Sequence, residues 1–302
     1  MRASVTATAP VIVLDEGVGH RDAVERRPVS AAGLPVGSGG NISFPDSLAN
    51  MQRRSFLKLA LAGPPILLAR CAESPAAMTS SDGFFHARPH VGSPAAKTAR
   101  PERLGLGIER DGLFYAPAAA NAPLLLYLHG ATGSASQAMP RLIADADRLG
   151  VIVVAPDSRE DTWGMVSGDE SADVAFIDRA LDRIFAKYSV DPKRIGIAGF
   201  SDGASAALSW GLLNGDLFTG IAAFSPGFIS LSSKPRGTPR IFISHGVNDQ
   251  ILPIDRCGRR LARGLQDAGY EVQYEEFDGD HTVPPDIRAK GLEWALSPLG
   301  PE

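Results

Sequence analysis

Cysteine is nearly absent: of 302 residues only Cys71 and Cys257 carry a thiol. Two thiols cannot build a disulfide framework, so stability has to come from a packed core. Positive charge is not in excess either. The 30 Lys and Arg stand against 34 Asp and Glu, a formal net charge of −4. No Lys/Arg cluster forms a basic patch, and no nucleic-acid footprint is expected. Cys and His nowhere fall at metal-ligand spacing, and the strand-associated glycine motifs lack the Gly-x-Gly-x-x-Gly dinucleotide pattern. Neither a metal nor another cofactor is expected. Internal repeats are also missing.

What is present concentrates around one pentapeptide. The apolar run Arg194-Ile195-Gly196-Ile197-Ala198 breaks into Gly199-Phe200-Ser201-Asp202-Gly203 and continues as the Ala-rich stretch Ala204, Ala206, Ala207, Leu208. Strand, sharp turn and helix is the setting in which Gly-x-Ser-x-Gly means a nucleophile elbow. The glycines answer a steric need, because a Cβ two residues to either side of the serine would collide with the strand or helix packed there. The turn lifts the Ser201 hydroxyl clear of the sheet and leaves the Asp202 N–H at a helix N-terminus, where an oxyanion can be stabilised.

Partners follow in the order Ser, acid, His, each after a later strand. The buried-strand pattern Pro239-Arg240-Ile241-Phe242-Ile243-Ser244 leads into His245-Gly246-Val247-Asn248-Asp249. The alternating run Glu271-Val272-Gln273-Tyr274-Glu275-Glu276-Phe277 leads into Asp278-Gly279-Asp280-His281. Asp249 and His281 are thereby expected at strand C-terminal ends, the edge that carries sites in open α/β sheets. Upstream, Ala122-Pro123-Leu124-Leu125-Leu126-Tyr127-Leu128 runs into His129-Gly130-Ala131-Thr132-Gly133. That Gly-rich loop offers the Ala131 N–H as second oxyanion donor beside Asp202. Asp255, Asp278 and Asp280 are rival acids. The last two lie too near His281 in sequence to orient it, and Asp255 is expected to start a helix. His129 and His245 each precede Gly at a strand end and read as structural. Trp163, in the polar loop 158–170, either walls the substrate pocket or packs its own loop. Asp173, Asp178 and Asp182 read as the solvated face of a helix whose apolar stripe is Val174, Ile177, Ala180, Leu181, Ile184 and Phe185.

From about residue 101 to 296 the chain resembles the phospholipase/carboxylesterase branch of the α/β-hydrolase superfamily. The stretches that carry the resemblance are Leu128-His129-Gly130-x-x-Gly133, Gly199-Phe200-Ser201-Asp202-Gly203, His245-Gly246-x-x-Asp249-x-x-x-Pro253 and Gly279-Asp280-His281. Residues 174–203 are also similar to secreted polyester-depolymerase and feruloyl-esterase-like proteins. The resemblance implies an α/β-hydrolase fold and a serine carboxylic-ester hydrolase of the EC 3.1.1 class. One departure matters: the branch often has Gln after the nucleophile, and this chain has Asp202. A carboxylate there disfavours anionic acyl groups close to the serine. Other readings on the same triad are a polyester depolymerase, a feruloyl esterase or a serine peptidase. A non-catalytic binding protein on a hydrolase scaffold is the remaining alternative. Small-molecule or polymeric esters are the expected partners.

The N-terminal third reads differently. Met51-Gln52-Arg53-Arg54-Ser55-Phe56-Leu57-Lys58 has the form of a twin-arginine export signal. The apolar stretch 59–68, broken by Gly63-Pro64-Pro65, is far short of the roughly 20 residues a membrane-spanning helix needs and suits a signal h-region. Leu68-Ala69-Arg70-Cys71 resembles a lipoprotein acylation box, with Arg70 where such boxes want a small residue; cleavage near Ser74-Pro75-Ala76 is the alternative. A signal at 51–76 makes residues 1–50 either non-native, with translation starting at Met51, or a disordered leader translated from Met1. Residues 77–100 read as a linker and 101–302 as the catalytic domain. The product is then periplasmic or secreted after passing the twin-arginine machinery, or held at the membrane through lipid on Cys71.

Strands near 104–109, 113–116, 123–129, 151–156, 194–199, 220–224, 239–244 and 271–277 alternate with helices near 136–149, 172–188, 202–213, 255–268 and 285–296. This alternation predicts an α/β fold with a mostly parallel sheet covered by helices on both faces. The first two strands, turning at Asp111-Gly112, form an antiparallel edge. The longest insertion is the loop around Trp163, so the lid is minimal and the site open.

Overall fold

The computed structural model describes residues 83–90, 97–107, 109–117 and 121–298. Its centre is built from runs that are apolar along their whole length. The strands β3 (Ala122–Leu128), β4 (Ile152–Pro156) and β6 (Gly220–Phe224) are buried at every position. Continuous burial is what a parallel sheet covered on both sides requires. With β1 (Glu102–Arg103), β2 (Gly112–Tyr115), β5 (Val190–Phe200), β7 (Arg240–Gly246) and β8 (Val272–Phe277) they form one eight-stranded sheet. Its order is β1-β2-β4-β3-β5-β6-β7-β8. β1 and β2 are antiparallel, β2 is antiparallel to β4, and the other pairings are parallel. The expected antiparallel edge is present, with β1 two residues long and ending at Arg103. Asp111 is the reason the chain between β1 and β2 turns. Its carboxylate accepts from the N–H groups of Gly105 and Leu106 at 2.8 and 3.1 Å.

Helices α1 (Ala135–Leu149), α2 (Gly164–Ser167), α3 (Ser171–Lys187), α4 (Asp202–Leu213), α5 (Gly258–Asp267) and α6 (Pro285–Leu296) connect the strands. Neighbouring residues of β5 show the two faces. A Cβ on Gly196 would sit 3.1 Å from Leu296 on α6, whereas Ile197 meets Gly211 on α4. Gly220 and Gly291 let α6 lie directly on the sheet. A Cβ at Gly220 would be 2.2 Å from the Ala295 carbonyl, and one at Gly291 would be 2.8 Å from the Phe224 and Phe242 rings. The short α2 had no sequence signal, its four residues being too few to show a period. The helix expected from Asp255 begins at Gly258, and Asp255 is an exposed partner of Arg259 at 2.8 Å.

Two further expectations change. The stretch 77–100 is not a free linker where it is described. Phe85 is fully buried against Trp210 and Phe218, its N–H donates to Asn214 Oδ1 at 2.7 Å, and Thr98 exchanges hydrogen bonds with Ala116. The domain therefore begins before residue 101. The connection 225–239 is also at least as long as the loop around Trp163. It is fastened along α4 by N–H bonds from Gly227 to Ser205 Oγ and from Ser230 to Ser209 Oγ. The leader, the export motif and Cys71 lie outside the described residues.

Candidate active site

The elbow forms because the backbone closes on itself around Ser201. A Cβ on Gly199 would stand 2.1 Å from the carbonyl of Gly203, and one on Gly203 would stand 2.2 and 2.4 Å from the carbonyls of Leu128 and His129. Only glycine fits at either place. Ser201 itself has φ 58 and ψ −122, a strained conformation for a residue with a side chain. Neighbours impose it: the Ser201 N–H donates to Phe224 O at 3.0 Å, and its carbonyl accepts from Ala204 and Ser205.

The loops after β7 and β8 are stitched to each other. The Val247 N–H donates to Phe277 O, and the Asn248 N–H donates to Gly279 O at 2.9 Å. A Cβ on Gly246 would meet the Asp280 carbonyl at 2.3 Å. This stitching brings the acid loop to the histidine loop. The His281 Nδ1–H donates to Asp249 Oδ2 at 2.6 Å, and the Ser201 hydroxyl donates to His281 Nε2 at 2.8 Å. The Asp249 carboxylate, an acceptor only, sets this tautomer. The rival acids are elsewhere engaged or exposed: Asp278 accepts from Asn248 Nδ2 at 3.0 Å, and Asp280 is at the surface.

Asp249 is 3 % exposed. Burial alone would raise its carboxyl. The Leu252 N–H, the His281 ring and the Ile251 N–H outweigh burial and hold the carboxyl below the ordinary carboxylate value. A second histidine stands at the same oxygen. His245 Nε2 lies 3.2 Å from Asp249 Oδ2 while donating to Leu252 O at 2.7 Å. Its Nδ1 is buried without a partner, facing Gly258, where a Cβ would be 2.7 Å away. A proton on Nδ1 would find no acceptor, and burial lowers the His245 pKa against the pull of Leu252 O and Asp249. His129 is likewise held neutral by burial. Its Nδ1–H donates to Gly130 O and its Nε2 accepts from the Ser158 N–H at 3.0 Å. Both histidines brace backbone, as their positions before Gly suggested.

The glycine-rich loop after β3 lies against the nucleophile, since a Cβ on Gly130 would be 3.4 Å from Ser201 Cβ. Neither the Ala131 nor the Asp202 N–H makes a hydrogen bond among the described residues. The Asp202 carboxylate accepts from Thr162 Oγ1 at 2.7 Å.

Trp163 does not wall the pocket. It is fully buried, donates Nε1–H to His129 O at 2.8 Å, lies tilted against the His129 ring and meets Trp210 edge to face. Its indole is consumed in holding the loop beneath the site. The same loop contradicts the solvated reading of Asp173, which is 2 % exposed and accepts from the N–H groups of Gly164 at 2.6 Å and Arg159 at 2.8 Å. Asp178 receives the N–H groups of His86 and Ala87, both at 2.7 Å. Helical periodicity reports which face turns outward and says nothing of loops that fold back over it; a short acidic side chain at an N-terminal turn was the available signal.

Beside the triad opens a cleft of about 510 Å³. His281, Gly130, Ala131 and Phe200 line it, and so do Tyr127, Arg141 and Arg288. The last three carried no sequence signal, because they come from three separate elements.

Residues 154–287 match the family described as Phospholipase/Carboxylesterase. The bifunctional acetylxylan esterase/xylanase XynS20E of Neocallimastix patriciarum is 31% identical over 52% of this chain and 24% of its own length. The putative esterase NocK of Nocardia uniformis is 31% identical over 44% of this chain and 42% of its own. The probable feruloyl esterase C of Aspergillus niger is 29% identical over 34% and 37%. The chain thus spans less than half the length of these relatives. Among solved structures, esterase PE8 superimposes with a TM-score of 0.52 at 23% identity, covering 61% of this chain and 98% of that one. The Staphylococcus aureus fluorophosphonate-binding serine hydrolase FphF gives 0.55 at 16%, covering 68% and 100%. The described domain has the α/β-hydrolase fold and is similar over residues 154–287 to the phospholipase/carboxylesterase family.

Proposed function

We propose that this domain is a serine carboxylic-ester hydrolase working through an acyl-enzyme. The observation that carries the reading is the unbroken relay from the Ser201 hydroxyl through His281 to Asp249, with contacts of 2.8 and 2.6 Å. In it Ser201 Oγ attacks the acyl carbonyl while His281 Nε2 takes its proton. The same proton goes to the leaving alcohol as the tetrahedral intermediate collapses. Asp249 keeps the proton on Nδ1 and stabilises the imidazolium. The N–H groups of Ala131 and Asp202, both without a partner among the described residues, receive the oxyanion. Water then repeats the sequence on the acyl-enzyme.

Acetylxylan and feruloyl esters are the first substrates to try, from the names of the relatives. A fluorophosphonate probe should label Ser201, and a panel of p-nitrophenyl acetate, feruloyl esters and peptides should be cleaved at its ester members. Labelling at Ser201 would exclude the non-catalytic binding protein, and labelling without turnover of any ester would leave the peptidase reading. Absence of labelling at Ser201 would reject the hydrolase reading itself.

The export reading is proposed with it, on the motif at 51–58. Lys keeps the charge of Arg53 and Arg54 but lacks the planar guanidinium fork. The Arg53→Lys, Arg54→Lys protein should stay in the cytoplasm, and undiminished activity outside it would reject the assignment.

A further inference from the structure

The cleft beside His281 contains more positive charge than the hydrolysis of a simple ester needs. Ser134, Gln137, Ala138 and Arg141 line it from α1 and its cap. These positions recur at three and four residues, so they share one helix face. Arg141 lies seven residues beyond Ser134, about 10 Å along the helix at 1.5 Å per residue. Arg141 makes no ion pair or hydrogen bond among the described residues. Arg288 enters from α6 with its Nε bonded to Asp145 Oδ2 at 2.7 Å. Asp145 is shared with Arg148 at 3.3 Å. Tyr127 lines the cleft with these cations; it is only 7 % exposed, and its hydroxyl has no hydrogen-bond partner among the described residues. Burial pushes that hydroxyl up to about 12, with Arg288 and Arg141 opposing, so it remains a donor. Asp145 offsets part of the Arg288 charge, which leaves Arg141 as the cation without an ion pair, and no carboxylate is among the residues that line the cleft beside the unpartnered phenol.

We propose that this part of the cleft is a subsite for a carboxylate carried by the ester substrate, remote from the scissile carbonyl and held by Arg141, Arg288 and the Tyr127 hydroxyl. The proposal rests on the esterase reading of the triad and narrows its substrates. Asp202, beside the nucleophile, repels an anion close to the ester. The Arg141 end, about two helical turns from the glycine-rich loop, attracts one at a distance. The two charges together select for the spacing between ester and carboxylate.

The test compares each acid with its neutral primary amide. One arm places the carboxylate on the acyl chain, as p-nitrophenyl hydrogen adipate against p-nitrophenyl adipamate. The other places it on the alcohol, as the O-acetyl ester of 3-(4-hydroxyphenyl)propanoate against its amide. One arm should favour the acid in kcat/KM by about tenfold, through KM, as expected for a charge-assisted contact. The preference should shrink with added salt, fall toward parity in Arg141→Gln, and invert in Arg141→Glu. p-Nitrophenyl hydrogen succinate, which brings the carboxylate close to Asp202, should lose the advantage. Calorimetric binding of free adipate to the Ser201→Ala protein reads the subsite without turnover. It should be abolished by adding Arg141→Gln. Parity of acid and amide in both arms, or a preference that Arg141→Gln leaves intact, would overturn the subsite. Failure of the esterase reading looks different: no ester is cleaved and Ser201 is unlabelled. The adipate titration then still decides the subsite, with no Arg141-dependent binding rejecting it.

Discussion

The elbow that carries Ser201 and the 158–170 loop bonded to it through Thr162 and Asp202 hold their shapes by opposite means. The elbow 199–203 is fixed by backbone against backbone: Gly199 on Gly203, Gly203 on Leu128 and His129. The 158–170 loop is fixed by buried side chains reaching in from other elements. Asp173 accepts two of its N–H groups, His129 accepts a third, and Trp163 anchors it to His129 O. The first device tolerates no added atom. The second tolerates replacement wherever an acceptor is kept.

The largest effects belong to the relay that the elbow presents. Ser201→Ala, His281→Ala and Asp249→Asn should each lower kcat on a small ester by about 10³- to 10⁶-fold, with the Ser201 and His281 losses far from additive. Asp255→Asn and Asp280→Asn, which alter exposed acids, should keep most of the activity. Steady-state kinetics on p-nitrophenyl acetate checks both; a near-wild-type Asp249→Asn beside a dead Asp280→Asn would reassign the acid.

Next comes the elbow itself. Gly203→Ala places a Cβ against two carbonyls and should cost about 3 kcal/mol or more of stability, or abolish soluble expression, as read by urea denaturation. If it is tolerated, the backbone account of the elbow is wrong.

The side-chain loop should yield less. Asp173→Ala strands two N–H groups and should cost about 2 kcal/mol, whereas Asp173→Asn, which keeps an acceptor, should recover part of it. Equal losses in the two variants would show that the acceptor role is not what matters.

The smallest effect is a pH slope. His129 and His245 are both held below the ordinary 6.5 by burial. The unfolded chain therefore binds protons that the folded one refuses, and their contribution to stability is present above pH 6.5 and lost as pH falls below it. Thermal denaturation on either side of that pH should show the melting temperature dropping on the acid side. His245→Gln, whose amide can still donate to Leu252 O, should flatten the drop.

The same contrast explains what could be read in advance. The boundaries of α4, β6 and α6 were legible to the residue, because period and turn chemistry are local. The elbow was legible because a steric demand within five residues is written in glycines. Trp163, Asp173 and Asp178 were not, since their partners are His129, Gly164 and Arg159, and His86, contacts that no periodicity encodes. Phe85 was missed for the same reason: a Pro- and Ala-rich stretch hides the Phe84-Phe85 pair, of which Phe85 docks on Trp210 and Phe218.

The sequence by itself determined an open α/β sheet with a serine, an acid and a histidine in order at the ends of β5, β7 and β8. Strand burial, glycine placement and chain order are properties of short segments. The tertiary structure decided how Asp249, already preferred in the sequence over Asp278, Asp280 and Asp255, reaches His281: bonds lace the loop after β7 to the loop after β8. It alone gathered Tyr127, Arg141 and Arg288 in one cleft, because the distant α6 meets the successive elements β3 and α1 there, α1 and α6 packing on the same face of the sheet.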